Sequence, residues 1–155
     1  MAQEIERKFL ISGDGWRSNV QSSARLQQGY LSTSAKATVR VRIYDDSKAV
    51  LTLKGKPEGI ARAEFEYAIP LEDARELMEM ARPNVIEKRR HKVPFDDHIW
   101  EVDVFEGHHA GLILAEVEME SIDEHVRLPA WVGREVSDDD RYANASLSRN
   151  PGIPS

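Results

Sequence analysis

The feature that most constrains the fold of this chain is a period-two alternation of apolar and charged residues. In an extended strand, successive side chains point to opposite faces, so this pattern predicts strands whose two faces meet different surroundings. Arg40 and Arg42, set against Val39, Val41 and Ile43, are a typical example. The pattern recurs along the chain and predicts strands at residues 3–11, 25–33, 37–44, 48–55, 62–69, 84–93, 97–105 and 111–120.

The connections between these strands indicate how the strands are arranged. Asp45-Asp46-Ser47 joins one pair of strands and Lys56-Pro57-Glu58-Gly59 joins another. Links this short leave no room for crossover helices, so the sheet should be antiparallel. Two helices are predicted, over 71–82 and over 138–147, the second with Ser137 as N-cap. The fold class is therefore a strand-rich α+β domain.

Length and composition set the remaining limits. A chain of 155 residues with 41% hydrophobic content fits one domain, predicted over 1–148, with a flexible C-terminal tail over 149–155. There is no cysteine, so metal ligands must be oxygen or nitrogen. A charged amino end and the lack of a long apolar run predict a cytoplasmic protein without a membrane partner. A net charge of −6 argues against nucleic-acid binding, and a homodimer is left open.

The charged set of each strand is unusual because it contains almost no neutral residues. An antiparallel sheet with one solvated face would also alternate, but that face is usually mixed in composition. If eight such strands close, the charged face lines the interior, and helices and loops cover the apolar face. Eight-stranded barrels hold one small ligand, and buried charge needs a charged partner. A lipocalin-like barrel, with Val41 and Val102 lining the interior, is the opposite arrangement.

The types of charge suggest a chemistry. Carboxylates at i and i+2 lie about 7 Å apart along a strand, so acids from neighbouring strands could share a hard cation such as Mg²⁺ or Mn²⁺. Lysine and arginine side chains match phosphate oxygens. Acids and bases in one pocket therefore suit a chain of phosphates. The candidate metal ligands are Glu4, Glu6, Asp103, Glu116 and Glu118, and the candidate phosphate-binding cations are Lys8, Arg40, Arg42, Lys54, Lys88 and Arg90.

A family resemblance adds to this interpretation. Glu4-Ile5-Glu6-Arg7-Lys8 resembles the ExExK signature of the CYTH, or triphosphate tunnel metalloenzyme, superfamily. Further blocks resemble the family in the same order: Gln28-Gly29-Tyr30-Leu31, Val39-Arg40-Val41-Arg42, Leu51-Thr52-Leu53-Lys54-Gly55, Glu64-Phe65-Glu66, Lys88-Arg89-Arg90, Trp100-Glu101-Val102-Asp103 and Ala115-Glu116-Val117-Glu118. The C-terminal part looks like the short prokaryotic branch.

The resemblance implies an eight-stranded antiparallel barrel that forms a tunnel, dependence on a divalent metal, and activity on triphosphate groups. It implies the same metal ligands and phosphate-binding cations as above. It also places Glu64 and Glu66 in the substrate-binding part of the tunnel. In Lys88-Arg89-Arg90 the strand period selects Arg90 for the interior, although a one-residue bulge would select Arg89 instead.

Two mechanisms are open for activation of the attacking water. One uses a hydroxide bound to the metal near Glu4 and Glu6. The other uses a general base made from Lys8 and Tyr30, with the pKa of Lys8 expected to be lowered by neighbouring cations. Tyr30 could equally be a wall residue that only forms hydrogen bonds.

The favoured substrate is inorganic triphosphate, since the tunnel residues are mostly charged and the chain leaves little length for recognising an organic group. Thiamine triphosphatase, nucleoside triphosphatase and class IV adenylate cyclase activities are the alternatives within the family. Trp16, Trp100 and Trp131 are expected to serve burial rather than stacking on a substrate. A non-catalytic module that binds polyphosphate or nucleotide is the alternative of another class.

Overall fold

Eight antiparallel strands close into a barrel that makes up most of the molecule. The computed structural model of the chain describes residues 3–34 and 36–155, so the first two residues of the predicted domain and position 35 lie outside the described part. The strands are β1 (Gln3–Ile11), β2 (Ser22–Thr33), β3 (Ala37–Tyr44), β4 (Lys48–Gly55), β5 (Ala61–Ile69), β6 (Val85–Phe95), β7 (His98–Phe105), β8 (Ile113–Glu118) and β9 (Val132–Glu135). Around the barrel the order is β1–β5–β4–β3–β2–β6–β7–β8 and back to β1, and β9 also pairs with β1.

Closure depends on β1, which has neighbours on both sides. Residues 6–10 of β1 pair with β8, and residues 3–5 pair with β5. All these pairings are antiparallel. Short turns connect β3 to β4 and β6 to β7. Asp45 and Asp46 turn the chain between β3 and β4 at φ values of 50° and 53°, a region that aspartate tolerates better than most residues. The predicted strand-rich α+β barrel is confirmed.

The apolar face of the sheet points outward and is covered, as the alternation predicts. Helix α1 (Leu71–Ala81) packs on β2, β3 and β4, and Val41 is fully buried in the cluster that includes Met78. Gly29 allows this close approach, because a Cβ there would lie 2.8 Å from the Cβ of Ala81 and from the Sδ of Met78. Two acidic residues in the first turn of α1 stabilise the helix, because their negative charges lie near the positive end of the helix dipole.

A second outer core lies across β1, β7 and β8. Val102 is fully buried there, together with Trp16, Trp100 and Trp131. The tryptophans therefore serve burial, as expected. Since Val41 and Val102 both pack in outer cores, the lipocalin-like alternative is wrong.

One end of the barrel interior is apolar. Tyr30, Ile86 and Leu114 face inward by strand alternation and pack with Tyr142 and Leu147, which come from the C-terminal part of the chain. Alternation of charged and apolar residues did not predict this cluster, because the inward-facing residues change character at that end. The apolar cluster fills one end of the barrel and leaves the charged interior at the other.

The C-terminal region differs most from the sequence-based expectation. The second predicted helix is present, but its predicted bounds of 138–147 are wrong: a 3₁₀ turn occupies Asp140–Tyr142, and helix α2 is Asn144–Arg149. The side chain of Asp139 accepts a hydrogen bond from the backbone of Arg141 and so caps only that short turn. Ser137 is not a helix cap, because its Oγ accepts a hydrogen bond from the backbone N–H of Lys8.

Two further features of this region bear on the predictions. The four-residue strand β9 was not predicted, since four residues show too little alternation to be recognised. In the tail over 149–155, the backbone N–H of Gly152 donates to the carbonyl of His108 at 2.9 Å, and the flexibility of the tail stays a prediction. Neither helix in the described part of the chain has the length and apolarity that crossing a membrane requires.

Candidate active site

The charged faces of the strands meet in a cavity of about 320 Å³ inside the barrel. With one exception, every site residue predicted from the sequence lines this cavity. The lining includes Glu4, Glu6, Lys8, Tyr30, Arg40, Arg42, Lys54, Glu64, Glu66, Lys88, Arg90, Glu116 and Glu118. The exception is Asp103, which lies in the wall behind the cavity and is 1% exposed. Arg90 faces the cavity and Arg89 is exposed outside, so the strand period selected the correct residue.

Three carboxylates gather at one place in the cavity. One oxygen each of Glu4, Glu6 and Glu118 lie within 4.8 Å of one another. Glu4 and Glu6 are two residues apart on β1, and Glu6 is directly opposite Glu118 on β8. Strand period and strand register together therefore bring the three side chains to one point.

The pKa values in this cluster reflect crowding of negative charge. Burial, followed by the nearby Glu116 and Glu4 carboxylates, raises the pKa of Glu6 well above its usual range. Burial and the carboxylates of Glu101 and Glu4 raise the pKa of Glu118. A cation bound between crowded carboxylates reduces the repulsion between their negative charges, and hard divalent ions prefer oxygen ligands. The three side chains thus fit a divalent metal ion, which would lie between Glu4, Glu6 and Glu118.

Lys54 lies beside this cluster and links it to β5. Its Nζ contacts Glu4 at 3.0 Å and Glu64 at 3.4 Å. Burial and the Glu4 carboxylate raise the pKa of Glu64 to about 7. The pKa of Glu4 is lowered, because Lys54 and a hydrogen bond with Glu64 outweigh the effect of burial. The two glutamates therefore behave as a pair in which Glu64 takes up a proton first.

The cationic part of the cavity is held from behind by Asp103. The Asp103 carboxylate accepts two hydrogen bonds from Arg90, at 2.8 and 2.9 Å, and its contact with the Nζ of Lys88 is 2.7 Å. Burial alone would raise the pKa of Asp103, but Arg90 and Lys88 lower it to about 2. Glu116 also contacts Arg90, at 3.0 Å. Among the five predicted metal ligands, Asp103 thus lies among cations. Glu116 lies outside the three-carboxylate group but borders it, because it contacts Arg90 and also lies beside Glu6.

For the pKa of Lys88, burial outweighs the charge of its partner Asp103, whereas for the pKa of Asp103 the nearby cations outweigh burial. Burial lowers the pKa of Lys88 to about 7, and the charges of Arg90 and Arg42 add to this effect, although Asp103 opposes it. Lys88 is 1% exposed. The crowding of cations that was expected to affect Lys8 therefore acts on Lys88.

Lys8 and Tyr30 lie at the inner end of the charged region. The Nζ of Lys8 is 3.7 Å from Glu116 and donates to the backbone carbonyl of Tyr142 at 3.3 Å. Burial acts to lower the pKa of Lys8, but the carboxylates of Glu116 and Glu6 outweigh it and the pKa is raised. The expectation of a lowered pKa for Lys8 is therefore wrong. The hydroxyl of Tyr30 accepts a hydrogen bond from Gln28 at 3.1 Å.

Several residues that line the cavity were missed by the sequence-based assignment, and two of them contact the predicted cations. Glu101 contacts Arg90 at 3.3 Å, and its position two residues before Asp103 on β7 was a usable signal. Asn144 comes from α2, where strand alternation gives no signal.

The fold and site define a class of protein: a closed antiparallel barrel with a charged interior cavity. Carboxylates gather in one part of this cavity and cations in another, and the space between them would fit a small polyanion. A sequence model of the CYTH domain matches residues 2–148. The chain therefore belongs to the CYTH domain family.

Similar proteins agree with this assignment. The inorganic triphosphatase of Acetivibrio thermocellus is 43% identical over 152 residues, which cover 97% of this chain and 96% of that protein. The inorganic triphosphatase of Nitrosomonas europaea is 35% identical over 150 residues, with coverage of 94% and 96%. A solved structure of an inorganic triphosphatase, 33% identical, aligns with a TM-score of 0.68 over 98% of this chain and 100% of its own. CYTH triphosphatases are in general metal-dependent, in keeping with the carboxylate cluster.

Proposed function

We propose that this protein hydrolyses inorganic triphosphate to pyrophosphate and phosphate with the help of Mg²⁺ or Mn²⁺. The observation that carries the proposal is the division of one barrel cavity into a carboxylate cluster and a cationic wall, which is formed by Arg40, Arg42, Lys54, Lys88 and Arg90. A small, highly charged anion complements both parts when a divalent cation accompanies it. Two relatives that match this chain over nearly its whole length are inorganic triphosphatases.

In this proposal the cations of the wall bind and align the phosphate chain. Arg40, Arg42 and Arg90 offer guanidinium groups that match phosphate oxygens in pairs, while Lys54 and Lys88 offer compact charge. A buried N–H of Arg40 has no hydrogen-bond partner among the described residues, and a phosphate oxygen would supply one. Phosphoryl transfer needs alignment and charge neutralisation more than covalent catalysis, so this set of side chains is sufficient.

Glu4, Glu6 and Glu118 are the proposed metal ligands. A divalent ion held there would neutralise phosphate charge and polarise the bond that breaks. We assign Asp103 to holding Lys88 and Arg90 in place, and Glu116 to holding Arg90 and Lys8. Glu64, next to Glu4 and Lys54, adjusts the charge beside the metal ligands.

Lys8 is proposed to bind a phosphate oxygen rather than to act as the base. A base at Lys8 would have to lose a proton that Glu116 and Glu6 help it to retain. Activation of the water near Glu4 and Glu6 is thus favoured over a base made from Lys8 and Tyr30. Tyr30 is assigned to the wall of the cavity, where its hydroxyl interacts with Gln28.

The cavity also favours inorganic triphosphate over organic triphosphates. All three tryptophans pack in the outer core, so none lines the cavity where a base or thiazolium ring would stack. ATP and thiamine triphosphate are therefore expected to be poorer substrates than tripolyphosphate.

The test is phosphate release from tripolyphosphate with Mg²⁺ or Mn²⁺, compared with ATP, thiamine triphosphate and longer polyphosphate. Glu118→Gln keeps the shape of the side chain and removes one ligand charge, so the rate should fall about 100-fold, the scale for losing a group that stabilises developing charge. Glu76→Gln, an exposed position on α1, is the matched control and should keep the wild-type rate. Binding of tripolyphosphate without release under either metal would instead identify a non-catalytic binding module.

A further inference from the structure

Asn144 is a cavity residue that no barrel strand provides. It is the first residue of α2 and lines the cavity. Its Oδ1 accepts hydrogen bonds from the Nζ of Lys88 at 2.9 Å and from the Nε2 of Gln28 at 3.4 Å. A protonated lysine can only donate, so in that state the amide oxygen of Asn144 is the group that faces Lys88.

Lys88 has few other ways to fix its direction. An ammonium carries three donors. One is directed at Asp103, at 2.7 Å, and a second at Asn144. The third is left for the cavity that Lys88 lines. With Asn144 in place, Nζ is held between two hydrogen-bond acceptors. Without it, the Asp103 carboxylate is the remaining hydrogen-bond acceptor among the described residues, beside the ring of Phe105, whose centroid lies 5.4 Å from Nζ.

Asn144 also reaches a second cation through Gln28. Gln28 is fully buried, and its Oε1 accepts a hydrogen bond from the Nε of Arg42 at 2.8 Å. Its amide nitrogen is then free to donate to Asn144 and to the hydroxyl of Tyr30. One helical side chain is thus connected to two of the cations in the wall.

The helix that carries Asn144 is itself anchored. Leu147 is buried in the apolar cluster that fills the end of the barrel. The Nε2 of His109 lies 2.7 Å from the carbonyl oxygen of Leu147 and 3.1 Å from that of Asn150. Since α2 is held at these points, Asn144 presents its oxygen at a constant place.

We propose that Asn144 is a positioning residue, which orients the Lys88 ammonium so that one of its N–H groups is available to a phosphate oxygen. The proposal rests on the proposed function, because it takes the cavity to be the place where triphosphate binds. Asn144 is therefore important for anion binding even before any reaction occurs.

The test compares wild type with Asn144→Leu, which has nearly the same shape and no acceptor. Tripolyphosphate binding is measured by calorimetry with a chelator present, so that turnover does not contribute, and hydrolysis is measured separately with Mg²⁺. We expect the dissociation constant to rise about tenfold, as for loss of one hydrogen bond to a charged group. KM should rise more than kcat falls, because binding rather than the chemical step is affected.

Two controls separate positioning from damage to α2. Ser146→Ala changes the same helix away from Lys88 and should leave binding and the melting temperature near wild type. In a Lys88→Met background, Asn144→Leu should weaken binding no further, because its effect passes mainly through Lys88. If Asn144→Leu does not fold, Asn144→Ala, which adds no bulk, takes its place.

The outcomes are distinguishable. Unchanged tripolyphosphate binding in Asn144→Leu, or equal weakening with and without Lys88, overturns the role of Asn144 while leaving the proposed function intact. Wild-type protein that binds tripolyphosphate in an Asn144-dependent way but releases no phosphate overturns the proposed hydrolysis alone. Wild-type protein that neither binds nor hydrolyses tripolyphosphate overturns both.

Discussion

Replacing Asp103 by asparagine tests how the cationic wall is held together. The substitution keeps the shape of the side chain and removes its charge. Asp103 is 1% exposed, and its carboxylate contacts Arg90 at 2.8 Å and Lys88 at 2.7 Å. Asparagine can accept fewer of these charge-assisted hydrogen bonds, and it removes the carboxylate that both buried cations share. Arg90 keeps its contacts with Glu116 and Glu101, whereas Lys88 loses its 2.7 Å ion pair.

Two considerations set the expected magnitude. The pKa of Asp103 falls from 3.8 to about 2, because Arg90 and Lys88 outweigh the opposing effect of burial. A lowering of that size corresponds to roughly 2 kcal/mol of stability in the charged state. Removing one partner of a buried ion pair typically costs about 3–5 kcal/mol. Lys88, whose pKa is already near 7, can release its proton and limit the cost, so we expect a loss of about 3 kcal/mol.

The measurement is urea unfolding of wild type and Asp103→Asn over a range of pH. Because the folded-state pKa of Asp103 is below its unfolded value, its contribution is fully present above about pH 4 and is lost as the pH falls toward 2. The difference in unfolding free energy between wild type and Asp103→Asn should therefore become smaller as the pH falls from about 4 toward 2. Asp123→Asn, at an exposed position, is the control. A loss below about 1 kcal/mol at pH 7 would refute the view that Asp103 organises these cations.

Two further predictions concern the other end of the cavity and the choice of base. Ionisation of Glu64, with a folded-state pKa of about 7 against an ordinary 4.5, disfavours the folded state as pH rises through that window. Without divalent ions, the melting temperature of the wild type should therefore decline as the pH rises from 4.5 to about 7, and Glu64→Gln should make that decline smaller. An equal decline in the variant and the wild type would contradict this prediction. Lys8→Arg should lower the rate of hydrolysis but leave the acidic limb of its pH profile in place, because Lys8 is already protonated there; a shifted limb would instead identify Lys8 as the base.

Much of the fold was predictable from the sequence because alternation reports the environment of each face directly. The eight barrel strands and α1 were predicted within a few residues of their ends. The errors lie where local pattern has little influence on structure. The segment from Asp140 to Arg149 contains a 3₁₀ turn followed by a short helix, and its conformation depends on packing of Tyr142 and Leu147 into the barrel end. Tertiary contacts of this kind leave no periodic signal.

In the candidate site, alternation predicted which side chains face the interior but not which of them lie together. Period-two alternation states which face a side chain occupies, but not its level along the barrel axis, since that depends on the register between strands. Glu6 is opposite Glu118, so these acids meet in the carboxylate cluster, whereas Asp103 is opposite Leu114 on one side and Arg90 on the other.

With the strands in their observed register, the inward-facing residues of β1 and β8 change from charged to apolar in the same direction along the barrel. They run from Glu4 and Glu6 through Lys8 to Leu10 on β1, and from Glu118 through Glu116 to Leu114 on β8. Both strands thus pass from carboxylate to apolar residue toward the filled end of the barrel. Glu6 and Glu118 have mainly other carboxylates as neighbours and are suited to a cation from solution, although Lys54 contacts Glu4 in the same cluster. Asp103 and Glu116 have lysine and arginine as neighbours, which offset their charge. The level of each acid, set by strand register, therefore decides whether it is suited to hold a metal ion or to hold the protein's own cations.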